Sequence, residues 1–182
     1  YGNGAISYPV SRRSQELRIL ASVADKAMPL VVGNNGVVHA AFAELSEIKT
    51  AAFGVDIFVS SRSGDDLQSY SPYLVNLINW MTGVDLNDAA ASLTVKVANV
   101  SSNASTSTYN NIADWFSAQA GSSTVTRCFG QAAVEACMDS PPDLFVVSSD
   151  PNAPAQAQAL MTDSAAATPE HCAGIKGMIG TH

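Results

Sequence analysis

The order of apolar runs between residues 36 and 83 constrains the fold of this chain more than any other feature. The segment reads GVVHAAFAELSEIKTAAFGVDIFVSSRSGDDLQSYSPYLVNLINWMTG. Two apolar runs, residues 37–45 and 51–59, have the length and composition of β-strands. A polar loop follows them, and the pattern then predicts a compact helix at residues 72–82. Two strands followed by a helix are typical of an α/β layer fold.

Local signals mark both ends of the predicted helix. Ser71 suits the N-cap and Pro72 suits the first helical position, because serine accepts from the free backbone N–H groups and proline has none to satisfy. Gly83 suits the helix end, where a left-handed residue is common. Asn76 and Trp80 lie one turn apart, and we expect the amide to bond the backbone and the indole to fill the core.

The remaining elements follow from the same kind of pattern. Further strands are predicted at residues 29–32, 93–100, 124–127, 143–148 and 177–180, and further helices at residues 11–28, 109–120 and 153–161. Residues 129–138 fit either a short helix or a loop. After residue 93 strands and helices alternate, which predicts a mostly parallel sheet with right-handed crossovers. We divide the chain into an N-terminal extension with a helix, residues 1–28, and an α/β domain, residues 29–182, whose completeness at the C-terminal end stays open.

Charge is sparse in this sequence, and its distribution excludes some partners. Charged residues make up 14% of the 182 residues, and the net charge is −7. The nine Lys and Arg residues form no cluster, so we expect no nucleic-acid partner. No apolar run is long enough to predict a membrane span. Residues 1–9 lack the features of a signal peptide, and either a cleaved signal or an excised fragment fits this start. The neutral polar composition favours a secreted or cell-surface protein.

Three cysteines are present, and two of them are close in sequence. Cys128 and Cys137 could bridge across one turn, and such a small ring would stabilise the fold by roughly 2–3 kcal/mol. We predict this disulfide, with two buried free thiols and a catalytic thiol at Cys128 as the alternatives. Cys172 is then left over, in a state that stays open. Metal-binding patterns such as CxxC, HxxxH and HExxH are absent, so we expect no metal and no cofactor.

Three residues are candidates for ligand binding. Asp56 lies in an apolar run, where a carboxylate needs a partner, and Ser149 and Asp150 follow a buried strand. The carboxyl ends of strands in open α/β sheets are where ligands bind. Structural roles compete with this interpretation, because Asp56 could hold a strand end and Ser149 and Asp150 could cap the next helix.

Residues 36–41, 52–58 and 74–83 together resemble a pattern found in glutamine-amidotransferase-like domains. In that pattern a strand of the form GxVxxA precedes an axGxDxF segment and an LxNxxxWLxG helix. Here they read GVVHAA, AFGVDIF and LVNLINWMTG. The resemblance implies a three-layer, Rossmann-like α/β fold with a class I amidotransferase-like sheet.

A closer resemblance is to the N-terminal domain of large secreted zinc metalloproteases of the enhancin-like, mucin-degrading kind (ImpA-like and AcfD-like). Residues 28–37, MPLVVGNNGV, match the PLxxGxxGxV stretch of those domains. A cysteine pair with similar spacing also occurs there, matching Cys128 and Cys137. The resemblance covers about residues 29–148 and rests on motifs that form the fold.

This resemblance implies a non-catalytic accessory domain, because the family's protease chemistry needs an HExxH helix that this chain lacks. Its expected partners are a zinc metalloprotease catalytic domain in the same polypeptide and a glycoprotein or mucin substrate. Whether the chain is itself an enzyme stays open. One alternative is an amidotransferase-like hydrolase that uses Cys128 with His171, Glu170 or Glu135. The other is a stand-alone module that binds glycan or protein.

Overall fold

The structure, a computed structural model, describes residues 17, 27–45, 48–55, 57–58, 66–99, 101–148 and 175–181. Residues 27 and 28, which the sequence placed at the end of a helix, lie in a strand instead. The rest of that predicted helix, the predicted helix at residues 153–161 and Cys172 fall outside the described residues, apart from residue 17. Within the described residues, no helix is long and apolar enough to cross a membrane.

The described elements are strands and helices of an α/β domain. They are β1 (Ala27–Val32), β2 (Val38–Leu45), β3 (Ile48–Phe53), α1 (Asp66–Thr82), β4 (Ser92–Asn99), α2 (Thr106–Ser117), β5 (Ser122–Phe129), α3 (Gln131–Met138), β6 (Leu144–Ser148) and β7 (Gly177–Thr181). The strands form one seven-stranded sheet in the order β1-β2-β3-β7-β6-β4-β5. The sheet is mixed, because β1, β2 and β3 pair antiparallel whereas the other four pairs are parallel. The prediction of an α/β fold with a mostly parallel sheet after residue 93 is therefore confirmed.

A short turn sets the register between β1 and β2. Gly36 donates its N–H to the Gly33 carbonyl at 2.9 Å, and Gly33 donates to the Val37 carbonyl at 2.8 Å. The φ of Gly36 is 79°, in the left-handed region that glycine adopts without a steric penalty. Asn35 accepts a bond from the Val37 N–H at 3.1 Å and steadies the turn.

Two predicted boundaries are wrong because tertiary contacts override the local pattern. β3 ends at Phe53, and Ile57 and Phe58 form a turn rather than the end of a strand. Both side chains are completely buried there, so core packing pulls this part of the chain out of the sheet. α1 begins at Asp66 and contains Pro72. The turns of α1 that precede Pro72 bring Tyr70 close to Phe53, with ring centres 6.4 Å apart. This packing favours helix on the N-terminal side of the proline.

The expected roles of Asn76 and Trp80 are only partly correct. Asn76 is exposed. It is Asn79 that bonds the backbone, since its side-chain oxygen accepts from the Leu86 N–H at 2.9 Å. Trp80 is half-buried and meets Phe42 edge to face with ring centres 5.5 Å apart. Asn79, rather than Asn76, therefore fixes the chain that follows α1.

The helices cover both faces of the sheet. Successive residues of β4 show the division, because Val97 packs in the core cluster with α1 and α2 whereas Ala98 packs with Val134 of α3. The connections through α1 and α2 step in one direction along the sheet, and the connection through α3 steps back. Crossovers of constant handedness require that arrangement. The larger cluster includes Leu74, Ile78, Leu93, Val95, Ile112, Phe116, Leu144 and Ile179.

Gly177 allows β7 to lie directly beneath α1. A Cβ atom at this position would lie 3.0 Å from Met81 Cβ and 3.1 Å from Leu144 Cδ1, both closer than ordinary contact. Gly180 in the same strand has more room, since its nearest neighbour would be the Ala51 carbonyl oxygen at 4.0 Å. The two glycines therefore form a matched pair with different steric surroundings.

We expect Gly177→Ala to lower the free energy of unfolding by about 1–3 kcal/mol, because an extra methyl overpacks the space between β7 and α1. Gly180→Ala is the control and should be neutral or stabilising by up to about 1 kcal/mol, because it restricts the unfolded chain without a clash. Urea unfolding followed by circular dichroism measures both values. Equal stability of the two variants would contradict the tight packing of β7.

Asp143 ties together the amino ends of three parallel strands. Its carboxylate accepts from the Thr94 N–H at 3.0 Å and from the Thr94 hydroxyl at 2.8 Å, and it pairs with Lys176 at 2.8 Å. Its backbone carbonyl accepts from the Gly177 N–H at 3.0 Å. Partial burial alone would raise the pKa of Asp143, but the bonds from Lys176 and Thr94 outweigh it and hold the pKa below its usual 3.8.

A carboxyl whose pKa is lowered by folding stabilises the folded state above its unfolded pKa and loses that contribution as the pH falls through the folded value. We expect Asp143→Asn to cost about 1 kcal/mol near pH 6, a modest effect because the Lys176 side chain is 52% exposed. The gap to the native protein should narrow as the pH falls below 3.8. Urea unfolding across this pH range measures it, with Asp114→Asn as a charge-matched control. A gap that stays constant in acid would contradict the assignment.

Candidate site at the carboxyl edge of the sheet

Three buried polar side chains lie at the carboxyl ends of neighbouring parallel strands. Asn99 ends β4, Ser148 ends β6 and Thr181 ends β7, and they are 4%, 6% and 4% exposed. They continue the alternation of the strand residues that face α1 and α2, so they share one face of the sheet. This edge is where open α/β sheets place ligands, and we therefore take it as the candidate functional site.

Asn99 is the centre of this polar edge. Its side-chain nitrogen donates to the Ser148 carbonyl at 3.0 Å and to the Ser148 hydroxyl at 3.3 Å. Its side-chain oxygen accepts from the Ser101 N–H at 2.9 Å. The amide therefore links the ends of β4 and β6 and fixes the start of the loop that leads to α2.

Thr181 fixes the chain that follows β3. Its hydroxyl donates to the Val55 carbonyl at 2.9 Å and accepts from the Ile57 N–H at 3.1 Å. The Thr181 hydroxyl thus provides hydrogen-bond partners for two backbone groups of the turn after β3. These groups need such partners because the chain has left the sheet there. Phe58, in that turn, stacks on Phe116 of α2 with ring centres 5.9 Å apart.

The turn between β5 and α3 is held against the same edge. Gly130 donates its N–H to the Asn99 carbonyl at 2.9 Å. Its φ of 93° lies in the range that side chains rarely adopt. A Cβ atom there would also lie 3.3 Å from Ser102 Cβ, so the turn and the loop before α2 are in close contact. Glycine is required at this junction for both reasons.

A disulfide joins Cys128 of β5 to Cys137 of α3, with Cα atoms 6.2 Å apart. It has the pairing that the sequence suggested. Lys96 of β4 reinforces the same helix end, because its ammonium group donates to the Cys137 carbonyl at 2.6 Å and also to the Ser140 carbonyl. A cation at a helix C-terminus is favourable with the helix dipole. A covalent bond and a cation therefore attach α3 to the sheet.

The bonded state of Cys128 disfavours the cysteine-hydrolase alternative. A nucleophile must carry a free thiolate, whereas this sulfur is in a disulfide and its residue is completely buried. The residue at the strand-to-helix turn is Gly130, not Cys128. Glu135 is exposed and accepts from Gln131 on its own helix at 3.2 Å. His171 and Glu170 lie outside the described residues.

The predicted ligand-binding residues Asp56, Ser149 and Asp150 also lie outside the described residues, so their roles stay predictions. The described residues next to them in sequence, Val55 and Ser148, belong to the polar edge. Asn99 and Thr181 were not singled out as site residues from the sequence. The available signal was their position, since each is the last polar residue of an apolar strand run.

The described part of the edge is neutral and hydrogen-bonded within itself. Asn99, Ser148 and Thr181 carry no group that ionises near neutral pH. Within the described ranges, no group of three or more His, Cys, Asp or Glu side chains could hold a metal ion. Exposed Ser102, Asn103 and Ser105 border the edge in the loop before α2. Such groups can recognise a neutral polar ligand through hydrogen bonds, and they are poorly suited to proton transfer.

The fold and this edge define the protein first as an α/β domain whose parallel strands end in a neutral polar site. Within that class, the chain belongs to the immunomodulating metalloprotease N-terminal domain family, because the model of that family matches residues 1–169. The resemblance seen in the sequence is thereby confirmed. No curated protein matches the chain.

Solved structures share the fold. The structure of IMPa from Pseudomonas aeruginosa in complex with an O-glycopeptide matches with a TM-score of 0.53 and 18% identity, over 86% of this chain and 16% of that chain. IMPa metallopeptidase in complex with T-antigen matches with a TM-score of 0.54 and 17% identity, over 87% of this chain and 16% of that chain. The chain therefore spans 16% of the length of these relatives. At such identities the likeness establishes the fold alone.

We expect Asn99→Ala to lower the free energy of unfolding by about 1–3 kcal/mol, because it leaves the buried Ser148 carbonyl and the Ser101 N–H without their partner. Asn103→Ala is the matched control. This exposed asparagine of the neighbouring loop should change stability by less than about 0.5 kcal/mol. Urea unfolding compares the two variants. A neutral Asn99→Ala would contradict the role of this amide as the link between β4 and β6.

Proposed function

We propose that this chain is a non-catalytic accessory domain of a secreted, glycoprotein- or mucin-targeting zinc metalloprotease. It acts by packing on the catalytic domain or by positioning the substrate. The observation that carries the proposal is membership of the immunomodulating metalloprotease N-terminal domain family. The shared fold with IMPa, which has been solved in complex with an O-glycopeptide and with T-antigen, supports a glycosylated substrate.

The finer architecture belongs to the same proposal. A three-layer, Rossmann-like arrangement of the class I amidotransferase type is supported by four neighbouring parallel strands with α1 and α2 on one face and α3 on the other. The antiparallel β1–β3 unit is an addition to that arrangement. Such a fold supports many functions, so the role is argued from the site and from the family.

The polar edge is the proposed point of contact with a glycan. Sugars present many hydroxyl groups and no charge, and exposed Ser102, Asn103 and Ser105 offer neutral donors and acceptors. Asp56, Ser149 and Asp150 are proposed to extend this surface. The Cys128–Cys137 disulfide supports an extracellular or cell-surface location, because oxidising compartments preserve such bonds.

Deletion of this domain from the parent protease tests the proposal. With an O-glycopeptide substrate, we expect kcat/KM to fall about tenfold, mainly through a higher KM, because remote contacts that bind the substrate are lost. Bound zinc and thermal stability of the remaining protein are the controls for an intact catalytic domain. An unchanged kcat/KM would contradict positioning of the substrate by this domain.

The same deletion, combined with a measurement of glycopeptide binding by chain 1–182, separates a stand-alone binding module from an accessory domain. A binding module would bind the glycopeptide with chain 1–182 alone, and its deletion would leave kcat/KM unaffected. The accessory role predicts the opposite for both measurements: chain 1–182 alone does not bind the glycopeptide, and its deletion lowers kcat/KM.

Titration of free thiols in the fully unfolded, unreduced chain addresses the hydrolase alternative, since a bridged Cys128–Cys137 pair leaves one of the three cysteines reactive.

A further inference from the structure

A continuous apolar strip runs from the flank of α1 to β1. Tyr73, Leu77 and Trp80 lie on one side of α1, at a spacing of four and three residues. Trp80 meets Phe42 of β2 edge to face at 5.5 Å, and Phe42 is the cross-strand partner of Met28 in β1. We call these five residues the apolar strip.

Part of the strip is exposed to solvent. Met28 is 52% exposed and Tyr73 is 42% exposed, while Leu77, Trp80 and Phe42 are half-buried. Val32, at the other end of β1, is 51% exposed. Contiguous exposed apolar surface usually marks an interaction site. No residue in the described part of the chain covers these side chains, which points to a contact with a partner outside it.

β1 lies at one edge of the described sheet, and charge is not what protects this edge. It reads AMPLVV, with no charged residue, although natural sheets usually place charges on outer strands. Pro29 and an irregular register with β2 limit the addition of a further strand. Side-chain packing, rather than strand pairing, is the contact that this surface suits. One cation borders the strip, because the Lys49 ammonium donates to the Trp80 carbonyl at 2.8 Å and lies 4.7 Å from the centre of the Trp80 ring.

We propose that the apolar strip is the surface on which this domain docks against the rest of its own polypeptide in the parent metalloprotease. This inference rests on the proposed function and names the surface that it uses. The solved relatives extend far beyond this fold, since the chain covers 16% of their length. A large remainder of chain is thus expected beside the domain, and a permanent contact within one polypeptide is apolar at its centre.

The composition of the strip favours a protein surface over a glycan as its partner. Aromatic residues and methionine are enriched at interfaces, and charged residues are depleted at interface cores. The hydrogen-bonding groups that a sugar needs are nearly absent from the strip, where only the Tyr73 hydroxyl and the Trp80 ring nitrogen can donate. The neutral polar edge lies at the strand ends and is left free for substrate.

Hydroxyl-radical footprinting of the parent protease and of chain 1–182 tests the proposal. Met28 and Tyr73 should be oxidised several-fold more slowly in the parent, because docking removes them from solvent. Met138, on α3 at the opposite face of the sheet, is the matched control and should react equally in both proteins. Equal oxidation of Met28 in the two proteins would overturn the proposal.

Variants of the parent test the same surface. Met28→Lys with Tyr73→Ser should restore oxidation at Leu77 and Trp80 to the rate seen in chain 1–182, whereas Thr126→Lys on exposed β5 should not. Protection of Met28 that appears in chain 1–182 only as its concentration rises would identify a second copy as the occupant and overturn the proposal. Protection that requires added O-glycopeptide would overturn it in favour of a substrate.

The outcomes separate this inference from the proposed function. Protected Met28 with unchanged kcat/KM on domain deletion would retain the docking surface and reject a role in positioning substrate. A reduced kcat/KM with unprotected Met28 would retain the accessory role and reject this surface. Neither measurement therefore depends on the other.

Discussion

The structure depends on the insertion of β7 between β3 and β6. This strand pairs in parallel with both neighbours and so joins the antiparallel β1–β3 unit to the parallel half of the sheet. Its fit is specified at each end, by Gly177 beneath Met81 and by Thr181 bonded to the turn after β3. These partners are far apart in sequence, so the sheet is built largely from non-local pairings. Such topologies fold slowly because chain entropy is lost before the contacts form.

Parts of this fold could be predicted because their signals are local. The alternation of β4 and the buried run of β6 placed both strands within a residue or so of their observed bounds. The failures have a common cause in tertiary packing. Ile57 and Phe58 are as apolar as strand residues, yet they fill the core from a turn. Asn76 and Asn79 look alike in sequence, and only the fold directs Asn79 towards Leu86.

The candidate site was less predictable than the fold, because its residues are distant in sequence and individually unremarkable. Nothing local distinguishes Asn99 from other asparagines until β6 is placed beside β4. The order β7-β6-β4 brings Thr181, Ser148 and Asn99 together. The Cys128–Cys137 pair was easier to predict, since its short spacing is visible in the sequence. Family resemblance added the class of protein but no residue of this edge.

The buried groups in the described part of the polar edge have a structural role. Its buried groups satisfy one another, so a ligand that reached Asn99 would have to replace bonds that already hold β4 to β6. Displacing such bonds costs about as much as new ones return. The proposed glycan contact therefore falls on the exposed loop before α2, with Asn99, Gly130 and the disulfide holding that loop in place. A firmly held, neutral loop of this kind agrees with the proposed role in positioning a substrate.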